Sequence, residues 1–262
     1  MRFCVLASGS AGNATYVESE GVRLLIDAGI SCRAIERHLA DLKIDPDSLD
    51  GILVTHEHND HVSGLYRFAT KHGTAVYANE GTAEVIERQA RKAKQPVPEF
   101  ALFQSCVPFA LGDLVVQPVR ISHDTAEPVA YTLTAEAGAK LGYFTDLGYA
   151  SQEVVTALQG CEALILESNH DLQMLRTSGR PYDLVSRISG KSGHLSNDQA
   201  CDLMRAACPE TLRQLVLAHL SRDCNEPAVA RYQMAQTLKE LGREGVALAV
   251  AQQSAPLEVM TW

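Results

Sequence analysis

No stretch of the 262 residues approaches the ~18 consecutive apolar residues that a membrane-crossing helix needs. The N-terminus, MRFCVLASGSAGNA, carries one arginine, but its apolar stretch is too short for a secretion signal and turns quickly to Gly, Ser and Asn. The expectation is a cytoplasmic protein with no membrane partner. The seven cysteines are odd in number and form no C-x-x-C pair, which argues against a disulfide framework and against a cysteine zinc site. All seven are expected to be small buried apolar residues. There is no repeat, low-complexity tract or long linker, and residues 1–262 are read as one domain. Basic charge is also scarce: 23 Lys and Arg face 32 Asp and Glu, a net charge of −9. A protein that clings non-specifically to nucleic acid is usually basic, so the bulk balance counts mildly against a polyanionic substrate.

What is present is a series of apolar, β-rich runs: FCVLA, ATYVE, VRLLIDAG, GILVTH, TAVYA, LVVQPV, VAYTL, KLGYFTD, EALILES, QLVLAH and VALAVA. Helical patterns lie between many of them. SCRAIERHLADL has Ser31 as N-cap and Ala34, Ile35, His38, Leu39 and Leu42 on one face. SQEVVTALQ, NDQACDLMRAA and EPAVARYQMAQTLKEL read the same way. Strands crowd the first half and alternate with helices in the second, which predicts a layered α/β (or α+β) fold with helices outside the sheets. AKQPVPEFA, residues 93–101, reads as a loop because two nearby prolines break regular structure.

The segment VTHEHNDHVSGL concentrates His56, His58, Asp60 and His61 between the strand GILVTH and a helix expected over DHVSGLYRFATKH. Asp60 falls where an N-cap or first-turn acid is favoured. Three imidazoles and a carboxylate make poor core residues, whereas together they suit zinc or a similar divalent ion. Further ligand types follow apolar strands: His123 after VQPVRIS, Asp146 after KLGYFT and His219 after RQLVLA. The reading assigns His56, His58 and His123 to one metal and Asp60, His61 and His219 to a second, with Asp146 bridging. Zn2+ is the first expectation and Mn2+ the alternative. Such a pair can bind a bridging hydroxide and clamp an oxygen-rich substrate.

H-x-H-x-D-H followed by His, Asp and His at strand ends resembles the metallo-β-lactamase superfamily. The resemblance implies a four-layer αββα sandwich with a binuclear site along one edge, and it implies that Asp27 of LLIDAG supports the metal loop without ligating. Downstream, GKSGHLSNDQACDLM and LVLAHLSRDCN resemble the arrangement in tRNase Z and RNase J, where the counterpart of His194 protonates the leaving group. Phosphodiester cleavage expels an alkoxide and needs that proton; a lactamase or thioesterase needs it less. Four stretches, LASGSAGNATYVE, LESNHDLQML, RISGKSGHLSN and HLSRDCN, resemble the YycJ/WalJ-like branch, which is described as DNA exonucleases. That resemblance implies that Ser10, Asn13, Asn169, His170, Asn197 and Asn225 line or buttress the pocket, and Ser196 is included with them. GSAGN is a Gly-Ser turn able to approach a phosphate, but it lacks dinucleotide-loop spacing and a Walker lysine, so no nucleotide cofactor is expected.

Local charge supports a phosphate substrate. Between Asp171 and Leu195, a loop-rich stretch, lie Arg176, Arg180, Arg187 and Lys191 against Asp171 and Asp183; Arg187 and Lys191 are taken as substrate contacts. A second cluster, RQARKAK, reads as Lys and Arg complementing a helix C-terminus. The expectation is a metal-dependent nuclease acting on DNA in preference to RNA, with Asp60 orienting or deprotonating the nucleophile and His194 as general acid. The alternatives are a hydrolase of a small thioester or cyclic phosphodiester, and a metal-bound regulatory protein without turnover.

Overall fold

Period-2 alternation in the apolar runs gives each strand two buried faces, and the chain answers with two sheets covered on both outer sides. The computed structural model describes residues 1–262. In the first sheet β1 (Arg2–Ala7), β2 (Ala14–Glu18), β3 (Arg23–Ile26), β4 (Gly51–Leu53), β5 (Val76–Asn79) and β6 (Phe100–Phe103) lie side by side in chain order. The second repeats that order with β7 (Phe109–Leu111), β8 (Leu114–Arg120), β9 (Val129–Ala135), β10 (Lys140–Phe144), β11 (Ala163–Glu167), β12 (Gln214–Ala218) and β13 (Ala247–Val250). The C-terminal β14 (Met260–Thr261) returns to pair with β1. Helices α1 (Cys32–Asp41), α2 (Asn59–Val62), α3 (Leu65–His72) and α4 (Glu80–Lys92) accompany the first sheet. α5 (Gln152–Ala157), α6 (Leu172–Thr177), α7 (Tyr182–Ile188), α8 (Asn197–Ala207) and α9 (Pro227–Glu240) accompany the second.

The alternation can be followed residue by residue. Ile165 and Val216 point between the sheets, where they meet Phe3, Leu24, Ile26 and Tyr131. Their chain neighbours Leu164, Leu166, Leu215 and Leu217 point outward to Met204 of α8 and Met234 of α9. On the other flank Leu25 and Ile52 meet Ile35, Leu39, Phe68 and Ile86 of the helices. The result is the expected αββα sandwich.

Four local expectations are corrected. The helix over DHVSGLYRFATKH is two helices, α2 and α3, because a Cβ on Gly64 would lie 1.9 Å from the Ile30 carbonyl oxygen. The Gly64 N–H donates instead to Ala28 O (2.9 Å), and the chain bends there. The loop over 93–101 ends early, since Phe100 and Ala101 already belong to β6, an edge strand paired parallel to β5 by backbone bonds that no side-chain pattern announces. The loop-rich stretch after Asp171 contains α6 and α7; α6 buries only Leu175 and α7 nothing, so neither shows an apolar stripe. Of the cysteines, Cys4, Cys161, Cys201 and Cys224 are buried, while Cys106 is exposed in the turn before β7.

Candidate metal centre

Three strands of the two sheets deliver their last side chains to one edge. Within two residues of the ends of β3, β10 and β12 stand Asp27, Asp146 and His219, with φ of 60°, 60° and 54°. Half of the non-glycine residues with left-handed backbone are these three. Asp and His are among the few side chains that tolerate this region, and such strain, about 1–3 kcal/mol each, persists where the surroundings over-determine it.

The structure brings all seven residues of the expected ligand set together. Ligand atoms of His56, His58 and His123 lie within 4.8 Å of one another, as do those of Asp60, His61 and His219. His58 Nδ1 and His123 Nε2 are 3.2 Å apart. Asp146 stands between the two groups: Oδ2 is 3.3 Å from His61 Nε2 and 3.2 Å from His219 Nδ1, and Oδ1 is 3.8 Å from His123 Nε2. The close approaches to Oδ2 are not aligned as hydrogen bonds. Asp146 Oδ2, His219 Nδ1 and His56 Nε2 are all buried without a hydrogen-bond partner. Orphaned polar atoms of this kind are costly unless something else satisfies them.

The loop is braced from behind. Asp27, fully buried, accepts from the Thr55 N–H (2.8 Å) and Thr55 Oγ1 and lies 2.8 Å from His61 Nδ1. That contact fixes the ring so that Nε2 faces Asp60 and Asp146. Asn13 accepts from the Gly9 N–H (2.8 Å) through Oδ1 and donates through Nδ2 to the carbonyls of Gly9 and Asp60. Gly29 permits the packing, because a Cβ there would fall 1.6 Å from Asp60 O.

His194 lies at the mouth, its ring 5.1 Å from that of His123 and 5.2 Å from that of His219, centroid to centroid. Its Nδ1 is 2.8 Å from Oε1 of Glu167, which is wholly buried. Glu167 also accepts from the backbone N–H groups of Asp146 (3.2 Å), Leu147 (2.9 Å) and Leu195 (2.9 Å). Sequence reasoning missed this residue. The available signal was an acid closing β11, a strand otherwise wholly apolar and flanked by β10 and β12, which carry Asp146 and His219. A cavity of about 280 Å³ opens beside His194, lined among others by Ser10, Asn169, Arg180, Ser221 and Arg222.

Several anticipated substrate contacts have other work. Ser196 is buried and caps α8 in a capping box with Gln199. Asn197 is buried and bonded to Ser168 and Asn225, so both residues brace the loop that carries His194. Asn13, with its amide spent on Gly9 and Asp60, braces the metal loop. His170 is fully buried, and burial pushes its imidazole down to about 4, so it is neutral at ordinary pH. Arg187 pairs with Asp124 at 2.6 Å. Lys191 is exposed, and only its carbonyl is engaged, by Ser122 Oγ at 2.7 Å.

Charge decides what the cluster wants. Burial drives His56 and His123 away from the charged form, leaving them as neutral donors. Burial also opposes charge on His61, but the carboxylates of Asp146 and Asp27 outweigh it and lift the ring to about 10. Burial raises Asp146, yet His219 and His61 hold it well below the usual carboxylate range. A proton on His61 thus takes up a demand for positive charge at the centre of the cluster. Neutral imidazoles at His56 and His123, ionised carboxylates and orphaned donor atoms are the set that divalent cations require.

A family model described as "Beta-lactamase superfamily domain" matches residues 22–220. The chain is 37% identical to the exodeoxyribonuclease YycJ of Bacillus anthracis over 242 residues, 92% of this chain and 90% of that protein. It is 32% identical to the exodeoxyribonuclease WalJ of Streptococcus pneumoniae over 239 residues, 91% of this chain and 88% of that one. The metallo-β-lactamase fold protein YhfI from Bacillus subtilis shares the fold, with a TM-score of 0.72 at 14% identity over 98% of this chain and 100% of that one. The chain therefore belongs to the metallo-β-lactamase superfamily, in the branch of the YycJ and WalJ proteins.

Proposed function

We propose that this protein is a cytoplasmic, metal-dependent phosphodiesterase that removes nucleotides from DNA. The observation that carries the reading is His194, partly exposed at the mouth of the metal centre and held by the buried Glu167. Burial pulls the His194 imidazole down, but the Glu167 carboxylate, with Asp146 and Asp60 behind it, outweighs burial and lifts the ring to about 9. With Nδ1 on Glu167, Nε2 is the atom free to protonate a departing alkoxide. Hydrolysis of a thioester or lactam has less use for a proton donor so placed. DNA in preference to RNA rests on the names of the relatives, and no helix is long and apolar enough to cross a membrane.

In this reading His56, His58 and His123 would hold one divalent ion and Asp60, His61 and His219 another, with Asp146 available to both. Zinc suits the imidazole-rich set best, with manganese the alternative. Two such ions supply Lewis acidity and offset the charge that grows on the phosphoryl oxygens. Asp60, about a quarter exposed, orients the attacking water and takes its proton. Asp27 and Asn13 keep His61 and Asp60 in place, and Arg222, in the cavity beside His194 and without an acidic partner, meets the substrate phosphate.

The test is digestion of 5′- and 3′-end-labelled DNA and RNA by metal-loaded protein, alongside an acyl thioester and bis-p-nitrophenyl phosphate. Mononucleotides released from DNA are the expected result, and turnover of the thioester alone overturns the reading. His194→Ala should lower kcat by about 10²–10⁴-fold with metal content unchanged. A second reading, a small-molecule phosphodiesterase, draws on the net charge of −9 and is distinguished by turnover of cyclic nucleotides with no attack on strands.

A further inference from the structure

Cations are scarce in this chain, yet several converge on a groove behind the metal loop. The groove, about 1090 Å³, runs between α1, α3 and the segment after α4, and Arg33, Arg67 and Lys71 line it against a single acid, Glu36. Lys71 is paired with Glu36 at 2.6 Å, whereas Arg33 and Arg67 are exposed and reach no carboxylate. Lys92 and Lys94 stand exposed beside Ala93 and Gln95, which form the far wall. Within RQARKAK Arg91 is paired with Glu87, while Arg88, Lys92 and Lys94 have no ion-pair partner.

Helix electrostatics accounts for Lys92, in the last turn of α4, but not for Arg33 and Arg67. Arg33 and Arg67 lie in the first turns of α1 and α3, neither of which has an acid there. A cation at that end opposes the helix dipole and costs a few tenths of a kcal/mol or more. Lys94 lies beyond the end of α4, with a left-handed backbone. An anion in the groove would offset the charge of Arg33 and Arg67.

The groove adjoins the metal centre. Asn59, which lines it, sits in the chain between His58 and Asp60. The turn that places Ser10 in the cavity beside His194 packs on the segment that leads into α1, where a Cβ on Gly12 would lie 2.5 Å from Gly29 O and 2.6 Å from Ile30. We propose that the groove is a track for the sugar-phosphate backbone of single-stranded DNA, with Arg33 and Arg67 on its phosphates. The substrate class rests on the nuclease reading above; the geometry of the track does not.

The test uses metal-loaded protein and a fluorescent 20-nucleotide strand with phosphorothioate linkages throughout, followed by anisotropy over a range of salt. Arg33→Glu/Arg67→Glu should weaken binding at least tenfold. It should also flatten the slope of log K against log salt by about 1.4, at ~0.7 for each phosphate of a single strand that is no longer neutralised. Turnover of bis-p-nitrophenyl phosphate, too small to span both sites, reports whether the metal centre is intact. If the charge reversal melts early, Arg33→Gln/Arg67→Gln replaces it, with the same direction expected. Binding and slope equal to the unaltered protein, or no binding by the unaltered protein, overturn the track. A protein that binds the strand through these arginines but cleaves no DNA sinks the nuclease reading and leaves the track standing.

Discussion

His194 Nδ1 and Glu167 Oε1 stand 2.8 Å apart, joining the end of a buried strand to the loop that enters α8. The carboxylate fixes which ring nitrogen is free and also ties the backbones of Asp146, Leu147 and Leu195 into one unit. Glu167→Gln replaces an acceptor with an amide that must turn an N–H toward at least one backbone donor. The expected stability loss is about 1–3 kcal/mol, the cost of an unsatisfied buried group. kcat should fall at least tenfold, with the alkaline limb of the pH–rate profile moved to lower pH because His194 loses the charge that keeps it protonated. A denaturant melt and a pH profile check both parts; an unmoved profile would show that Glu167 is only scaffold.

Asp27 acts on His61 as Glu167 acts on His194. Asp27→Asn is the informative change, because Asn accepts the left-handed backbone found there and leaves the turn intact. The expected effect is a loss of about 10–100-fold in metal affinity, as for other outer partners of a ligating histidine. Competition with a chromogenic chelator measures it, and affinity equal to the unaltered protein would contradict the assigned role.

Metal removal should expose how much of the stability resides in the cluster. Ions present at a thousand times their dissociation constant contribute about 4 kcal/mol. At about 2–4 °C per kcal/mol for a chain of this size, chelation should lower Tm by on the order of 10 °C. A melt in chelator, then one after zinc is restored, decides this; an unchanged Tm would mean that the cluster does not bind ions in the folded state.

A pH effect is expected away from the metal centre. The Lys71 ammonium and the His72 ring hold Glu36 down to about 2, against an ordinary 4.5. A depressed carboxylate stabilises the folded chain above its unfolded value, and that contribution is lost as pH falls from about 4.5 toward 2. Glu36→Gln should therefore be less stable than the unaltered protein at pH 6, with the difference shrinking below pH ~4.5. Urea midpoints at several pH values test this, and a gap that stays constant down to pH 3 would refute it.

Legibility in the sequence followed the distance over which each signal acts. The metal loop is legible because four ligand-type residues fall within six positions, and His123, Asp146 and His219 stand out because each follows an apolar run. Glu167 obeys the same rule but falls inside the strand pattern EALILES, as the last residue of β11. Ser196 and Asn197 were visible as a helix start, but only the folded chain shows their side chains consumed by Gln199, Ser168 and Asn225. The break between α2 and α3 depends on Gly64 meeting the backbone of Ile30, a contact between segments that no local pattern encodes. The edge strands β6 and β7 and the short helices α6 and α7 bury too little apolar surface to impose a period.

The left-handed turns at Asp27, Asp146 and His219 narrow what these positions can become over evolutionary time. Aspartate, asparagine, histidine and glycine are the residues such a backbone accepts without heavy penalty. Drift at Asp146 or His219 is thus biased toward other ligands, a close amide mimic, or no side chain at all. A lineage that abandons catalysis can lose the metal in one substitution and keep its fold, and the reverse step is equally short.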